Sequence, residues 1–322
     1  MRSMQTRQSF PLASIKPLDR LSNYREFCLS ATRKRLGHAR VRRLSPITGN
    51  KMEPAGAVNG LPYARCVETG SLFLAEVSEP SEWEVLLSEV SRYRHTLDRR
   101  DGDLSQSRTD HVYAPKVDWI RETLTLQGVR KPRILEVVTP PSDLGSLLRE
   151  CRSFAEVETI NEMELAHAPA SGLKADSEGA IVMLESLDRV DDPRALLQGA
   201  VARMQDGGLL FVTALVASGF DLKVLGLRNQ YLYPPDRTNC FSIAGLRQLL
   251  EKQGFKLLEV STPGVLDVEI VQAHLRADPT LPLSDFERWI VGADGETRSE
   301  FQTFLQRRGM SSFARIVARK AS

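Results

Sequence analysis

The segment from Arg133 to Glu150, RILEVVTPPSDLGSLLRE, has the pattern of a buried strand, a tight loop and the start of a helix. In nucleotide-binding α/β proteins such a loop is rich in glycine. Glycine lets the backbone approach a ligand closely, and the following helix N-terminus favours an anionic group. Here the loop is Val138-Thr139-Pro140-Pro141-Ser142, without glycine. Its two prolines lack a backbone N–H and have a fixed φ. The segment therefore has the length of a ligand-binding loop without its usual chemistry.

Polar side chains also follow two later apolar segments. Asn161 and Glu162 come directly after the segment 154–160. Either side chain can hydrogen-bond a diol, although a polar strand end explains both equally well. Arg189 follows the apolar segment 180–184. Its guanidinium suits an anionic substrate but cannot act as a base.

From residue 133 the pattern alternates between strand and helix. The predicted strands are 133–138, 154–160, 180–184, 209–213, 255–261 and 312–319. The fully apolar segment 180–184 is typical of a central strand in a parallel sheet, which is buried on both faces. The alternation predicts a doubly wound, Rossmann-like α/β sheet with right-handed crossovers. Ligands of such sheets bind beyond the carboxyl ends of the strands.

The residues before this sheet have a different pattern. Helices are predicted at 17–38 and 80–100, where apolar residues recur at helical spacing. Asn59-Gly60 predicts a hairpin turn between two short apolar segments. The polar segment 100–112 predicts a flexible connection, and a further helix fits 115–127.

Three later segments resemble a known family. They are AIVMLESLDRVDDPRALLQGAVARMQDGGLLFVTA, SGFDLKVLG with LYPPDRTNCFSIAGLRQLLEKQGFKLLEVSTPG, and LDVEIV. Together they resemble the class I S-adenosylmethionine-dependent methyltransferases, in the branch where a zinc ribbon precedes the methyltransferase domain. The resemblance implies an N-terminal helical and β-ribbon domain at 1–112. It implies a methyltransferase domain at 113–322, with a helical insertion at 263–312 and an antiparallel last strand.

The resemblance also assigns cofactor positions. Glu136 matches the acidic residue that ends the first strand of the family, and Val138, Pro140 and Ser142 stand at the three glycine positions. Asn161 or its neighbour stands where the family has a carboxylate for the ribose hydroxyls. The candidates for binding S-adenosylmethionine are Glu136, Thr139, Ser142, Asn161, Glu162 and Glu185.

No catalytic residue can be assigned from the pattern. The family often has Glu-His where Asp188-Arg189 stands, and the branch commonly has a histidine where Arg237 stands. A histidine would serve as the proton acceptor near neutral pH. A surface loop held by two prolines explains the segment around Arg237 as well as a cleft does. The remaining catalytic candidates are Asp188, Arg189, Asp236 and Arg237.

The zinc ribbon that the resemblance implies departs from its pattern too. SPITGN at 45–50 and CVETG at 66–70 stand where the branch has two cysteine knuckles. Of the four ligand positions one keeps a thiol, Cys66, and three carry hydroxyls, at Ser45, Thr48 and Thr69. A structural zinc site needs four strong ligands, so we predict no metal. The turns and apolar segments remain, and the ribbon is expected to keep its shape by packing.

Composition limits the class of protein. The 322 residues are 42% apolar and 26% charged, as in an ordinary globular protein, and no uncharged apolar segment reaches 18 residues. The four cysteines are far apart, which favours a reducing, cytoplasmic location and argues against a disulfide framework. Residues 1–50 carry eleven Lys/Arg and two acidic residues, a charge of +9, so the rest carries +2 − 9 = −7. This basic segment fits a solvated helix face or a contact with the acidic body of the same protein better than a contact with nucleic acid or an anionic membrane.

The scaffold pattern is complete, whereas the chemical pattern is missing in several places. We therefore expect a methyltransferase-like protein with impaired or lost S-adenosylmethionine binding. It would act through a protein partner or a second copy in a glycan or metabolite pathway. The alternative is an active methyltransferase on a sugar, lipid or small metabolite with a remodelled loop. Methyl transfer needs little from the protein beyond positioning and a route for one proton.

Overall fold

The structure is a computed structural model that describes residues 18–99, 106–167 and 178–321. Two helices, α1 (Leu18–Arg35) and α2 (Pro80–Arg99), enclose short strands. The strands are β1 (Arg40–Val41), β2 (Glu53–Val58), β3 (Leu61–Arg65), β4 (Leu72–Leu74) and β5 (Glu76–Val77). The predicted hairpin is confirmed: Asn59 and Gly60 have φ of +48° and +81° and join β2 to β3.

The larger sheet follows. Its elements in chain order are α3 (Ala114–Leu126), β6 (Arg133–Val137), α4 (Asp143–Glu150), β7 (Glu156–Ile160), α5 (Glu162–His167), β8 (Glu178–Leu184), α6 (Ser186–Arg189), α7 (Pro193–Arg203), β9 (Met204–Leu215), α8 (Phe220–Leu225), β10 (Asn239–Cys240), α9 (Ile243–Lys252), β11 (Phe255–Ser261), α10 (Asp267–Ala277), α11 (Asp285–Gly292), α12 (Gly295–Arg307) and β12 (Phe313–Lys320). The three helices α10, α11 and α12 lie within the predicted insertion at 263–312.

The strand order of this sheet is β11-β12-β9-β8-β6-β7 among the described residues. β6, β7, β8 and β9 pair in parallel, whereas β12 runs antiparallel to both β9 and β11. The predicted doubly wound α/β fold with an antiparallel last strand is confirmed. β8 lies inside the sheet with residues 178–183 all buried, which explains its continuous apolar pattern.

One predicted loop is a helix. Residues 106–113 are helical, with a π-helical turn at Thr109–Tyr113, and continue into α3. Gln106 donates to Asp110 at 2.9 Å, and Arg108 donates to the Tyr113 hydroxyl at 2.8 Å. These pairs four and five residues apart hold polar residues in a helical turn, so the flexible connection predicted for 106–112 is wrong. Residues 100–105 lie outside the described residues.

The N-terminal part and the larger sheet share packing. β10 pairs with β4, which places a strand of the second part in the four-stranded sheet of the first. One apolar cluster also contains side chains of both parts, among them Trp83 of α2 and Leu135 of β6. The domain boundary at residue 112 stays a prediction. No helix of the described residues is long and apolar enough to cross a membrane.

The basic residues of α1 and its surroundings contact the protein itself. Arg35 pairs with Glu89 of α2 at 2.7 Å. Arg40 pairs with Asp191 at 3.2 Å, and Arg42 donates to the Asn239 side chain at 3.0 Å. These contacts support the interpretation of the basic segment as a surface against the acidic body.

Candidate functional site

A cavity of about 290 Å³ opens at the carboxyl ends of β6 and β8. Its walls come from α1, α2, the residues leading into α3, the loop after β6 and the loop 231–237. The sequence-predicted residues that line it are Glu136, Thr139, Ser142, Glu185, Arg189, Asp236 and Arg237. Three further candidates lie outside this lining. Glu162 contacts Thr139 and Asp188 contacts Arg237, both of which line the cavity, whereas Asn161 contacts Glu84 of α2.

Glu136 is buried at the end of β6 and is engaged by its neighbours. It accepts from the Ser142 hydroxyl at 2.6 Å and from the Thr159 hydroxyl at 3.2 Å. Burial raises the pKa of its carboxyl, and these hydroxyls oppose the rise. A Cβ at Gly145 would lie 2.3 Å from the nearer carboxylate oxygen. Gly145 therefore makes room for Glu136, a role that the sequence pattern did not reveal.

The loop after Glu136 has few free donors. Val138 donates its N–H to Ile160 at 2.9 Å, Pro140 and Pro141 have no N–H, and their shared peptide bond is cis. Ser142 caps α4, because its hydroxyl accepts from the Gly145 N–H at 3.0 Å. The hydroxyl that was a candidate donor to a cofactor thus already has two partners.

Helix α2 crosses the strand ends on the side where the resemblance places the cofactor. Ser91 donates to the carbonyls of Thr139 at 2.8 Å and Pro140 at 3.1 Å, over the end of β6. At the end of β7, Asn161 donates to Glu84 of α2 at 3.4 Å. Beyond β8, the indole of Trp83 donates to the carbonyl of Arg189 at 2.9 Å and is fully buried. One helix therefore contacts the loops after three adjacent strands.

Asp236 anchors a buried ion cluster beside this helix. Arg94 of α2 donates to one of its carboxylate oxygens. Arg189 lies 3.3 Å from the other, which also accepts from the Tyr24 hydroxyl at 3.2 Å. Burial opposes the charge on Asp236, but the guanidinium groups of Arg94, Arg189 and Arg237 outweigh it, and the pKa lies below its ordinary value. Arg189 therefore pairs with this carboxylate while it lines the cavity.

Thr139 and Glu162 extend the same cluster to the loop. The Thr139 hydroxyl donates to Glu162 at 2.5 Å, and Arg189 lies 3.8 Å from the other oxygen of Glu162. Both Thr139 and Glu162 are buried. The ribose candidate Asn161 instead caps α5 by accepting from the Glu164 N–H at 2.6 Å.

Arg237 forms a second cluster. It pairs with Glu185 at 2.6 Å and with Asp188 at 3.3 Å. Asp188 also accepts from the Leu215 N–H at 3.0 Å. Burial raises the pKa of Asp188 well above its ordinary value, and Arg237 offsets only part of this rise. Glu185 has a left-handed backbone with φ of +67°, which directs the chain from β8 into α6.

Two cavity residues were missed in the sequence. Arg94 and Lys116 both lie on the apolar stripes of their helices, Arg94 four residues after Val90 and Lys116 four residues before Ile120. A charged residue in an apolar stripe is the signal that could have identified them, because such a residue must find a buried partner or face a cavity.

The ribbon turns keep their backbone. Gly49 and Gly70 have φ of +80° and +72°, and their N–H groups donate to the carbonyls of Ser45 and Cys66 at 2.9 and 2.7 Å. Burial disfavours the thiolate of Cys66, but hydroxyl groups around the sulfur lower its pKa below the ordinary value. These hydroxyls belong to Ser45, Thr69 and Thr48. Among the described residues, no group of three or more His, Cys, Asp or Glu could hold a metal ion.

Comparison with known proteins identifies the family. Residues 75–260 match the family described as methyltransferase domain. A Burkholderia thailandensis 1,6-didemethyltoxoflavin-N1-methyltransferase with bound S-adenosylhomocysteine is 13% identical, covers 84% of this chain and 100% of its own, and has a TM-score of 0.42. A Haemonchus contortus phosphoethanolamine N-methyltransferase 2 with S-adenosyl-L-methionine is 12% identical, covers 63% and 53%, and has a TM-score of 0.37.

No curated protein matches the chain. The family match alone spans more than half of the 322 residues. The chain therefore belongs to the methyltransferase-domain family, and its fold is that of the class I S-adenosylmethionine-dependent methyltransferases.

Proposed function

We propose that this protein has kept the methyltransferase fold with impaired or lost S-adenosylmethionine binding, and that it acts by binding a partner in a glycan or metabolite pathway. The observation that carries the proposal is the position of α2. Its contacts through Trp83, Glu84 and Ser91 cover the ends of β8, β7 and β6. Helix α2 therefore lies across the strand ends where the resemblance implies the cofactor, and it is bound there at three points.

The residues left at the site support the same conclusion. The prolines of the loop supply no N–H donors, and the Val138 N–H is already used by Ile160. The candidates Thr139 and Ser142 donate to Glu162 and Glu136. These side chains do not fit the ordinary cofactor, because both hydroxyl donors that remain already have a buried carboxylate as partner.

An active methyltransferase with a remodelled loop is the second candidate. The cavity beside Glu136 and Glu185 favours it, because it leaves room for a small molecule at the strand ends. The substrate would then be a sugar, lipid or small metabolite.

Equilibrium dialysis of the full chain against labelled S-adenosylmethionine separates the two candidates. We expect no retained label at about 1 mM cofactor, the upper end of the ordinary range of enzyme KM values. Retention of one equivalent at micromolar cofactor would favour the active enzyme. A denatured sample is the control for non-specific retention.

The helical insertion is the contact surface that we propose for a protein partner or a second copy. Phe286 and Trp289 of α11 and Phe304 of α12 are 56%, 61% and 46% exposed. The rings of Phe286 and Phe304 lie 5.9 and 6.1 Å from the ring of Phe301, and the ring of Trp289 lies 6.2 Å from that of Phe286. Adjacent exposed aromatic side chains are typical of interaction surfaces. Sedimentation of the wild-type chain and of Trp289→Ser tests self-association, which the substitution should weaken.

A further inference from the structure

Lys116 is a buried lysine that faces the cavity. It belongs to α3 and lies one and two turns before Ile120 and Leu124, which are buried in the core. Only 8% of Lys116 is exposed, and its ammonium lies 5.7 Å from the centre of the Phe313 ring. The residue lines the cavity together with the loop of Glu136.

Lys116 has no salt bridge or hydrogen bond within the described part of the chain. The other buried cations of the cleft differ in this respect. Arg189 lies between Asp236 and Glu162, and Arg237 lies between Glu185 and Asp188.

The charged groups around Lys116 are mainly positive. Arg108 before α3, Arg237 of the loop 231–237 and Arg315 of β12 all repel its charge. The attractive group is Glu185, which already binds Arg237 at 2.6 Å. Burial lowers the pKa of Lys116, and Glu185 restores part of the loss. Of these four charged groups that act on Lys116, three are therefore positive.

We infer that the cavity binds a small molecule through an anionic group, a carboxylate or a phosphate, that pairs with Lys116. An ammonium in a buried, weakly screened position interacts strongly with an anion, because little water competes for either charge. The Tyr24 and Tyr233 side chains also line the cavity and supply flat apolar walls. The volume of about 290 Å³ limits the ligand to a small metabolite. The inference goes beyond the proposed function and does not require that S-adenosylmethionine be lost.

The test titrates the full chain with inorganic phosphate and, separately, with malonate, at ionic strength held constant with chloride. Thermal unfolding reports binding, because a ligand of the folded state raises the midpoint as its concentration passes the Kd. We expect at least one of the two anions to raise the midpoint above that in chloride. Lys116→Met should weaken the binding of that anion at least tenfold, whereas Lys256→Met, at an exposed position, should leave the affinity unchanged.

A second measurement does not depend on the variant folding. Amine-specific acylation of the wild-type chain, read by mass spectrometry, should modify Lys116 more slowly in the presence of the binding anion, and modify Lys256 at the same rate. The inference is overturned if neither anion raises the midpoint or if Lys116→Met keeps the wild-type affinity for the anion. It is also overturned if the anion does not slow the acylation of Lys116. A response to phosphate alone or malonate alone identifies which group the ligand carries.

These outcomes are independent of the dialysis experiment. Anion binding without retained S-adenosylmethionine supports both proposals. Anion binding with retained cofactor supports the anion site and overturns the loss of cofactor binding. No retained cofactor and no anion response overturns the anion site alone, whereas retained cofactor without an anion response overturns both proposals.

Discussion

The predicted ribbon turns, at 45–50 and 66–70, and the loop after β6 differ in different ways from the pattern that the resemblance implies. In the ribbon the backbone of both turns remains, with Gly49 and Gly70 in left-handed conformations, and the ligand side chains differ. In the loop the backbone chemistry itself differs, through Pro140 and Pro141, and α2 packs on the result through Ser91. A site that differs only in side chains should be simple to rebuild. A site covered by another element should not.

The largest expected effect is in the ribbon. Ser45→Cys, Thr48→Cys and Thr69→Cys together with Cys66 would supply four thiolates on a backbone that already has both turns. We expect one equivalent of tightly bound zinc, with an apparent binding free energy on the order of 10 kcal/mol. Metal analysis after dialysis measures it. The matched triple alanine variant should bind none, and a triple cysteine variant without zinc would show that the turns are not preserved.

The ion cluster under α2 should give the next effect. Asp236→Asn leaves Arg94 and Arg189 buried without their shared carboxylate, and should lower the free energy of unfolding by about 3–5 kcal/mol near pH 7. The pKa of Asp236 is below its ordinary value, so its contribution is present above pH ~4 and is lost as the pH falls through the folded-state pKa. The difference between wild type and variant should therefore shrink below pH ~4.

Urea unfolding at a series of pH values measures this difference. The exposed Asp206→Asn is the control and should change the free energy by less than about 0.5 kcal/mol. A difference that stays constant down to pH ~2 would contradict the assignment.

Gly145 tests how tightly Glu136 is held. Alanine in place of a helical glycine usually stabilises a helix by about 0.5–1 kcal/mol. Gly145→Ala should instead destabilise by about 1–3 kcal/mol, because its Cβ would lie 2.3 Å from the Glu136 carboxylate. Gly292→Ala, where the new Cβ meets nothing within 4 Å, is the control. Equal effects of both substitutions in chemical denaturation would mean that Glu136 is free to move.

The smallest effect concerns the contact of α2 with the loop. Ser91→Ala removes the donor to the carbonyls of Thr139 and Pro140, at a cost of about 1 kcal/mol. Ser88→Ala on the same helix should be neutral or slightly stabilising, because alanine has the higher helix propensity. Urea unfolding of both variants measures the difference. No difference between them would show that α2 is held by its apolar side chains alone.

Much of the fold was predictable because its signals are local. The apolar residues of β8 predict an interior strand, Asn59-Gly60 predicts a hairpin, and Ser142 predicts a helix cap. Each depends on neighbours in the chain. The helix at 106–113 was missed because its polar residues stabilise one another by side-chain pairs that resemble a loop in composition.

The candidate site was only partly predictable. The sequence places Asp236 and Arg189 at the strand ends, but not in one cluster with Arg94, because residues 94, 189 and 236 meet only after α2 packs on the sheet. The role of Gly145 depends in the same way on a carboxylate nine residues earlier. Lys116 had a local signal, since it interrupts an apolar stripe. That none of the described residues forms a salt bridge or hydrogen bond with it follows from the surroundings that the fold supplies.

The most direct test of the account is a calorimetric titration of S-adenosylhomocysteine into two proteins in parallel, the wild type and Val138→Gly/Pro140→Gly/Ser142→Gly. The account predicts no binding heat from either at millimolar ligand, because restoring the loop glycines leaves α2 over the ends of β6, β7 and β8. Micromolar binding by the glycine variant alone would show that the loop, and not α2, excludes the cofactor. Micromolar binding by the wild type would contradict the account.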